Sequence, residues 1–424
     1  MPLKRTLGLT MLTFYGTGMI LGAGIYSIIG QAAGLAGPGV WQGFALAAIA
    51  AFLTALSYAE LATLFPKAGG EYIYLRSAFP RERWAAATTG ILMTFAGCAS
   101  AATVALAFSS YLQYFVSAPH FLVASSLLAL FTAVNIFGIK QSSWVNAIFT
   151  IIEAAGLILF IWLGWQSPIF GEALAAAPSM RIVSSAALII FAYFGFENIV
   201  NLIEETKEPE KTIPRAILLS LGISTCLYVL VSLAAVALMP PEQLALTESA
   251  LMDAAKSSAP KFVGILGGIA LFSTANTALI ALITTSRIVY GISKDKSLPR
   301  IFSKTLSKKN TPWVAAIFVF IFSVLLLPIG KVETVASVSA FVTMIAFIAV
   351  NVAVIILRVK SPNLNRPFRV PLSIHKIPVI PILGIIVCFI FLSQFKLEVY
   401  MIGLAAMICS LGAYFLYSRF GRST

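Results

Sequence analysis

Gly16-Thr17-Gly18-Met19-Ile20-Leu21-Gly22-Ala23-Gly24-Ile25-Tyr26 lies in the middle of the first apolar segment, residues 9–34. That segment is long enough to cross a bilayer. Four glycines within nine residues make a poor continuous helix, since each costs ~1 kcal/mol relative to alanine. In hydrocarbon, freed N–H and C=O groups find no water. Broken backbone persists there only when it is buried in protein or lines a wet cavity. The segment therefore reads as two half-helices with a gap at Gly22-Ala23-Gly24. The amides that open the second half turn a positive dipole end to the gap, a place for a small anion such as a carboxylate. The same residues have a second reading: Gly18 and Gly22 form a GxxxG pair that lets helices pack closely.

A second stretch decides between them. Phe191-Ala192-Tyr193-Phe194-Gly195-Phe196-Glu197-Asn198 puts Gly195 about thirteen residues into its apolar run, as Gly22 is in the first. Glu197 and Asn198 at that depth favour an opened, polar stretch. Interrupted helices at matching positions of two halves that enter from opposite sides are the best sequence pointer to a transporter's central site. The break reading is the stronger one.

Composition supports a membrane setting. Of 424 residues, 59% are hydrophobic and 11% charged, against roughly 25% charged in soluble domains. Mean hydropathy is +0.94. Twelve helical spans are predicted, at 9–34, 38–65, 84–116, 120–138, 143–165, 182–204, 213–239, 261–292, 312–328, 334–357, 378–395 and 397–418. The first run is too long for a cleavable signal and lacks a small-residue cleavage site, so it is expected to act as its own insertion signal. The net charge of +13 could suggest nucleic acid, but loops on the N-terminal side hold 24 of the 29 Lys and Arg. That asymmetry is a topology signal, placing both termini in the cytoplasm. No nucleic-acid partner is expected.

Cys98, Cys226, Cys388 and Cys409 all fall inside predicted spans, so no disulfide-linked heavy chain is expected. Two histidines and no CxxC spacing argue against a metal, and no cofactor is expected. The stretch Lys67–Arg76 suits a helix lying along the membrane surface. Glu60, about two turns before it, reads either as an acid paired with a loop Lys or Arg or as part of a cytoplasmic gate. Glu153 lies near mid-depth in the fifth span, with no Lys or Arg predicted at that depth. It should face the bundle interior or meet a mobile cation, and reads either as a permanently protonated acid bonded to a neighbouring helix or as a proton carrier. Glu197 is the other carboxylate that could carry a proton. Ser273 and Thr274 of the eighth span are packing hydroxyls or part of a cation site facing the broken first helix. The loop from Pro240 to Pro260 has room for a short lid helix. Spans eleven and twelve carry no interior charge and look like accessory packing.

On these residues the chain resembles the amino acid–polyamine–organocation superfamily of transporters along nearly its full length. The matching pieces are Gly22-Ala23-Gly24-Ile25, and Tyr58-Ala59-Glu60-Leu61 through Pro66, Gly69, Gly70 and Tyr72. Gly195-Phe196-Glu197 follows, with the exit Glu204-Glu205…Pro209…Ile213-Pro214. The last is Ser286-Arg287…Lys294-Asp295…Leu298-Pro299…Thr311-Pro312. The resemblance implies an all-α integral membrane fold like that of the leucine transporter: a five-plus-five inverted repeat with helices one and six broken. The chain would be a single transmembrane domain, 1–424, with repeats at 9–165 and 182–357 and two accessory helices at 378–418. It implies an amino acid whose carboxylate meets the amides around Gly22, Ala23, Gly24 and Ile25. The α-amino group would meet carbonyls freed at Ile20, Phe191 and Phe194, beside Ala192 and Gly195. Phe191 is similar to an aromatic that closes over substrate in the arginine–agmatine antiporter branch. Glu197 is similar to an acid in the sixth-helix break of that branch and of the cationic amino acid transporters. One position departs: many members carry a lysine where Glu153 stands, so the lysine's stand-in for sodium does not transfer.

The expected function is secondary active transport of amino acids across the cytoplasmic membrane by alternating access, as proton-coupled uptake with sodium the other possible ion. Amino acid exchange and polyamine or organocation transport are the alternatives. A channel would want a continuous polar lining. An intramembrane enzyme would need a nucleophile–base or metal constellation, which two edge histidines do not supply.

Overall fold

Long apolar runs become helices because a chain in hydrocarbon must satisfy its backbone within the segment. The computed structural model describes residues 5–67, 69–247, 249–258, 260–306, 311–329 and 332–420. Helices α1 (Leu9–Ala36), α2 (Val40–Leu64), α3 (Gly70–Ala78), α4 (Arg83–Leu112), α5 (His120–Phe137) and α6 (Ile139–Trp165) fill the first part. A short α7 (Phe170–Leu174) precedes α8 (Ile182–Ile189), and α9 runs Pro209–Leu238. Then come α10 (Pro241–Leu244), α11 (Ala250–Ser258), α12 (Val263–Lys294), α13 (Trp313–Leu326) and α14 (Val332–Lys360). A small antiparallel hairpin, β1 (Ser373–Ile374) with β2 (Ile377–Pro378), leads into α15 (Val379–Leu392) and α16 (Leu397–Phe420).

Among the described residues, ten helical stretches are long and apolar enough to cross a membrane. α13 and α15 are apolar but shorter, at 14 residues each, and stand where spans nine and eleven were expected. The result is an all-helical, multi-pass membrane protein. Proline and glycine set the boundaries. Pro38 lies in a 3-10 turn before α2, Pro209 is the first residue of α9, and Gly138, at φ 127°, separates α5 from α6. The loop from Pro240 to Pro260 does hold short helices, α10 and α11.

α1 is packed among α6, α9 and α12, while α12 also packs along α4 and α2 along α9. Lipid gives helices little hydrophobic reason to associate, so close approach of small side chains carries the packing. α2 accordingly turns Ala47, Ala51 and Ala55 inward, all fully buried. α15 and α16 pack on the outside, against α14, α2 and α4. The N-terminal strand is tied to the exit of span six: Thr6 and Leu7 N–H donate to the Glu205 carbonyl, and Lys207 N–H donates to that of Leu7.

The surface helix expected at Lys67–Arg76 is α3, and it is more deeply seated than its charges suggested. Tyr72, Tyr74 and Glu71 are buried. Tyr58 Oη donates to Glu71 Oε1 at 2.7 Å. Burial pushes the Glu71 carboxyl above its ordinary value, and the Tyr58 hydrogen bond only partly opposes this. A carboxyl raised on folding stabilises the protein below its unfolded pKa, about 4.3, and that stability is lost as pH rises through the folded value. Glu71→Gln is therefore expected to flatten the fall in thermal midpoint as pH rises above that unfolded value, in detergent. Parallel pH profiles for parent and variant would overturn this reading.

Candidate functional site

The first interruption is narrower than the three-residue gap expected. α1 continues as one element except at Gly22, whose φ −36°, ψ −149° is not helical. α12 presses on it from one side: a Cβ on Gly22 would stand 1.5 Å from Thr277 Oγ1. Span six presses on the next turn, where a Cβ on Gly24 would lie 2.6 Å from Ala192 Cα. The glycines thus serve both readings of the sequence, a break and a close approach.

Span six is broken where expected. α8 passes into a 3-10 turn over Ile190–Tyr193, and Phe194 is extended. Gly195 takes φ 135°, ψ −33°, and a second 3-10 segment runs Phe196–Glu205. A Cβ on Gly195 would meet Met19 Cγ at 2.6 Å and the Ile20 nitrogen at 3.1 Å. The two breaks therefore cross in contact, Gly24 on Ala192 and Gly195 on Met19. Glu197 caps its own break. Gly195 N–H donates to Oε2 at 2.8 Å and Asn198 Nδ2 to Oε1 at 2.9 Å.

Tyr228 of α9 joins the two, and sequence reasoning missed it. Its hydroxyl meets the carbonyl oxygens of Ile20 and, at 3.2 Å, Ala192. The ring is fully buried and makes edge contacts with Phe44 and Tyr193. The Ile20 carbonyl, expected to be free for an ammonium, thus already has a protein donor; that of Phe191 accepts from Phe194 N–H. A carbonyl has two lone pairs, so one such bond does not by itself exhaust it. A tyrosine in an apolar helix reads as an ordinary core residue, which is why no signal marked it.

A cavity of about 60 Å³ opens beside the crossing. By the same measure one water needs ~10–15 Å³, so it has room for a handful of small atoms. Of the expected residues, Ile20, Gly24, Phe191, Ala192, Phe194 and Glu197 line it. Gly22, Ala23, Ile25 and Gly195 shape the backbone behind it. The remaining wall comes from α4, α12 and α14, with Met93, Gly97, Val104, Ala281, Thr285 and Ser339 among its residues. Phe191 and Phe194 meet edge to face with centroids 6.0 Å apart, and Phe194 meets Phe347 likewise at 5.5 Å.

Glu153, Ser273 and Thr274 form a separate place. Glu153 is fully buried; Ser273 Oγ, from α12, donates to its Oε1, and Oε2 has no hydrogen-bond partner. Thr274 is turned to its own helix, its hydroxyl bonded to the Ala270 and Leu271 carbonyls. Glu60 is also apart from the cavity, buried between Arg358 at 2.5 Å and Arg366 at 3.1 Å, which realises its pairing with a loop arginine. Arg287 pairs with Glu205 at 3.5 Å, both buried. Among the described residues, no group of three or more His, Cys, Asp or Glu could hold a metal.

With this geometry in place, comparison with known proteins is informative. The family described as amino acid permease matches residues 7–398. The chain is 32% identical to the branched-chain amino acid permease BcaP of Bacillus subtilis, over 98% of this chain and 94% of that one. It is 29% identical to the methylthioribose transporter of Bacillus subtilis, with the same coverage. It is 32% identical to cationic amino acid transporter 9, chloroplastic, of Arabidopsis thaliana, over 71% of this chain and 57% of that one.

Proposed function

The chain belongs to the amino acid permease family, within the amino acid–polyamine–organocation superfamily, and on that premise we propose that it takes up neutral aliphatic amino acids with protons. Its family and relatives are transporters rather than enzymes, and amino acid transport is the activity they support. The proposed frame is the five-plus-five inverted repeat, 9–165 and 182–357, with 378–418 accessory, in a single transmembrane domain over 1–424. Both termini would face the cytoplasm, in the cytoplasmic membrane.

The observation that carries the substrate reading is the contact between two broken spans beside a small, mostly apolar cavity. The backbone after Gly22 opens a new helical half, whose first N–H groups lack a preceding turn and suit a carboxylate. The carbonyls of Ile20 and Phe191, beside the crossing, suit the ammonium. Met19, Met93, Val104 and Ile288 suit an aliphatic side chain. A polyamine or cationic amino acid would want free carboxylates. Among the described residues, the one carboxylate lining the cavity, Glu197, is already committed to Gly195 and Asn198.

Glu153 is the proposed proton site. It is fully buried on α6, one oxygen held by Ser273 of α12 and the other without a hydrogen-bond partner. Protonation can then bias outward against inward states, as coupling requires. The test is uptake of labelled leucine and a panel of other amino acids into proteoliposomes, with an inward proton gradient, with sodium, or with only internal amino acid. The proton gradient alone should concentrate leucine. Glu153→Gln should lose that by tenfold or more while still exchanging internal for external leucine. Uptake driven only by internal amino acid, equally in parent and variant, would instead establish an exchanger with a structural Glu153. Transport of polyamines and of no amino acid would sink the substrate reading.

A further inference from the structure

We propose that the connection between α14 and α15 holds a binding site for a phosphate-bearing anion, separate from the central cavity. A pocket of about 200 Å³ lies there, lined by Arg358, Arg366, Arg369, Lys376 and Asn365 among others, with no carboxylate among the described residues of its wall. From Arg358 to Lys376 the sequence carries five Lys and Arg and no Asp or Glu.

The charge is unbalanced where it is most costly. Arg358 is buried and Arg366 half-buried, their side chains 3% and 6% exposed, and they share one carboxylate, that of Glu60. Two guanidiniums on one carboxylate leave an excess positive charge that is only partly solvated, which is costly without a counter-ion. Arg366 registers this. Burial first, then the neighbouring Arg358 and Arg369, push it below the usual guanidinium range, against the opposing pull of Glu60.

These two arginines have their donors assigned. Arg358 bonds Glu60, the Val370 carbonyl and Ser373 Oγ. Arg366 bonds Glu60 and the carbonyls of Leu357, Ser361, Pro362 and Leu364. They therefore supply field rather than contacts. Arg369 and Lys376 are exposed at the rim and have no hydrogen bond or ion pair among the described residues. Free donors on two exposed cations suit an anion with several oxygens and more than one charge, which is the profile of phosphate. On the proposed topology this loop faces the cytoplasmic leaflet, where anionic lipid headgroups offer the same chemistry as free phosphate or a phosphate ester.

The experiment measures the thermal midpoint of the purified full-length protein in two arms. One titrates inorganic phosphate in detergent against chloride at matched ionic strength. The other compares nanodiscs of phosphatidylglycerol with nanodiscs of phosphatidylcholine. Arg369→Gln with Lys376→Gln, both exposed and outside the transport machinery, is run beside the parent. A saturable rise of about 2 °C or more in the parent, absent from the double variant, supports the site. A rise with inorganic phosphate identifies the free anion as a ligand, and one confined to phosphatidylglycerol identifies the lipid. No rise in either arm, or an equal rise in the variant, overturns the proposal.

Discussion

Gly195→Ala is expected to reduce transport by at least about 100-fold while leaving a folded, membrane-inserted protein. Two independent costs meet at this residue. Its φ of 135° belongs to a region that L side chains rarely adopt, and forcing one there costs of order 1–3 kcal/mol. The added methyl would also stand 2.6 Å from Met19 Cγ and 3.1 Å from the Ile20 nitrogen. Met19 is flexible and can yield, but the Ile20 backbone cannot move without disturbing the break at Gly22. The strain is thus delivered to the place where substrate is proposed to sit. A displacement of even 1 Å in a positioned site costs on the order of 100-fold. Gly24→Ala separates the two costs, since its Cβ would strike the Ala192 backbone at 2.6 Å without a left-handed φ. The measurement is initial leucine uptake per molecule of protein recovered as a monodisperse peak. Parent-like rates from Gly195→Ala would show that the contact between the breaks does not set transport.

The difference between what was legible and what was not follows from where each signal lives. Gly195-Phe196-Glu197 marked its break because glycine, a charge and mid-span depth coincide in one short stretch. The neighbouring role of Glu197 was not legible: it depends on a local turn that brings Gly195 N–H and Asn198 Nδ2 to its two oxygens. Gly22 and Gly24 marked the first break but not its width. Width is decided by how closely Thr277 and Ala192 approach, a property of other helices. Tyr228 and the α4 wall of the cavity carry no sequence mark, since an alanine or tyrosine facing a cavity looks like one facing lipid or core. The charges tell the same story. Glu60 was recognisable as an acid in need of a partner, but its chief partner, Arg358, is 298 residues away. Pairings across such separations come from the order of packing, which the pattern of spans does not specify.

That separation also makes Glu60 the residue whose loss should cost the most stability. Its carboxylate accepts four hydrogen bonds. Two come from Arg358, at 2.7 and 2.5 Å, one from Arg366 at 3.1 Å, and one from Val370 N–H at 2.8 Å. The residue is 1% exposed. It thereby pins the end of α2 to the end of α14 and to the loop that leads into α15. Glu60→Gln keeps the size and one acceptor oxygen but removes the charge, leaving two guanidiniums with no counter-ion. Breaking a buried pair in this way costs about 3–5 kcal/mol, a drop in thermal midpoint on the order of 5–10 °C. Removing the excess charge should recover part of it, so Glu60→Gln with Arg366→Gln is expected to melt above Glu60→Gln alone. A role in gating without a structural one predicts the opposite pattern, a parent-like midpoint with altered transport. The two are separated by measuring midpoint and uptake on the same preparation. If Glu60→Gln melts with the parent, the cluster is not holding these helices together. If it melts well below and the double variant recovers, the charge balance at this loop is what fixes α2 to α14.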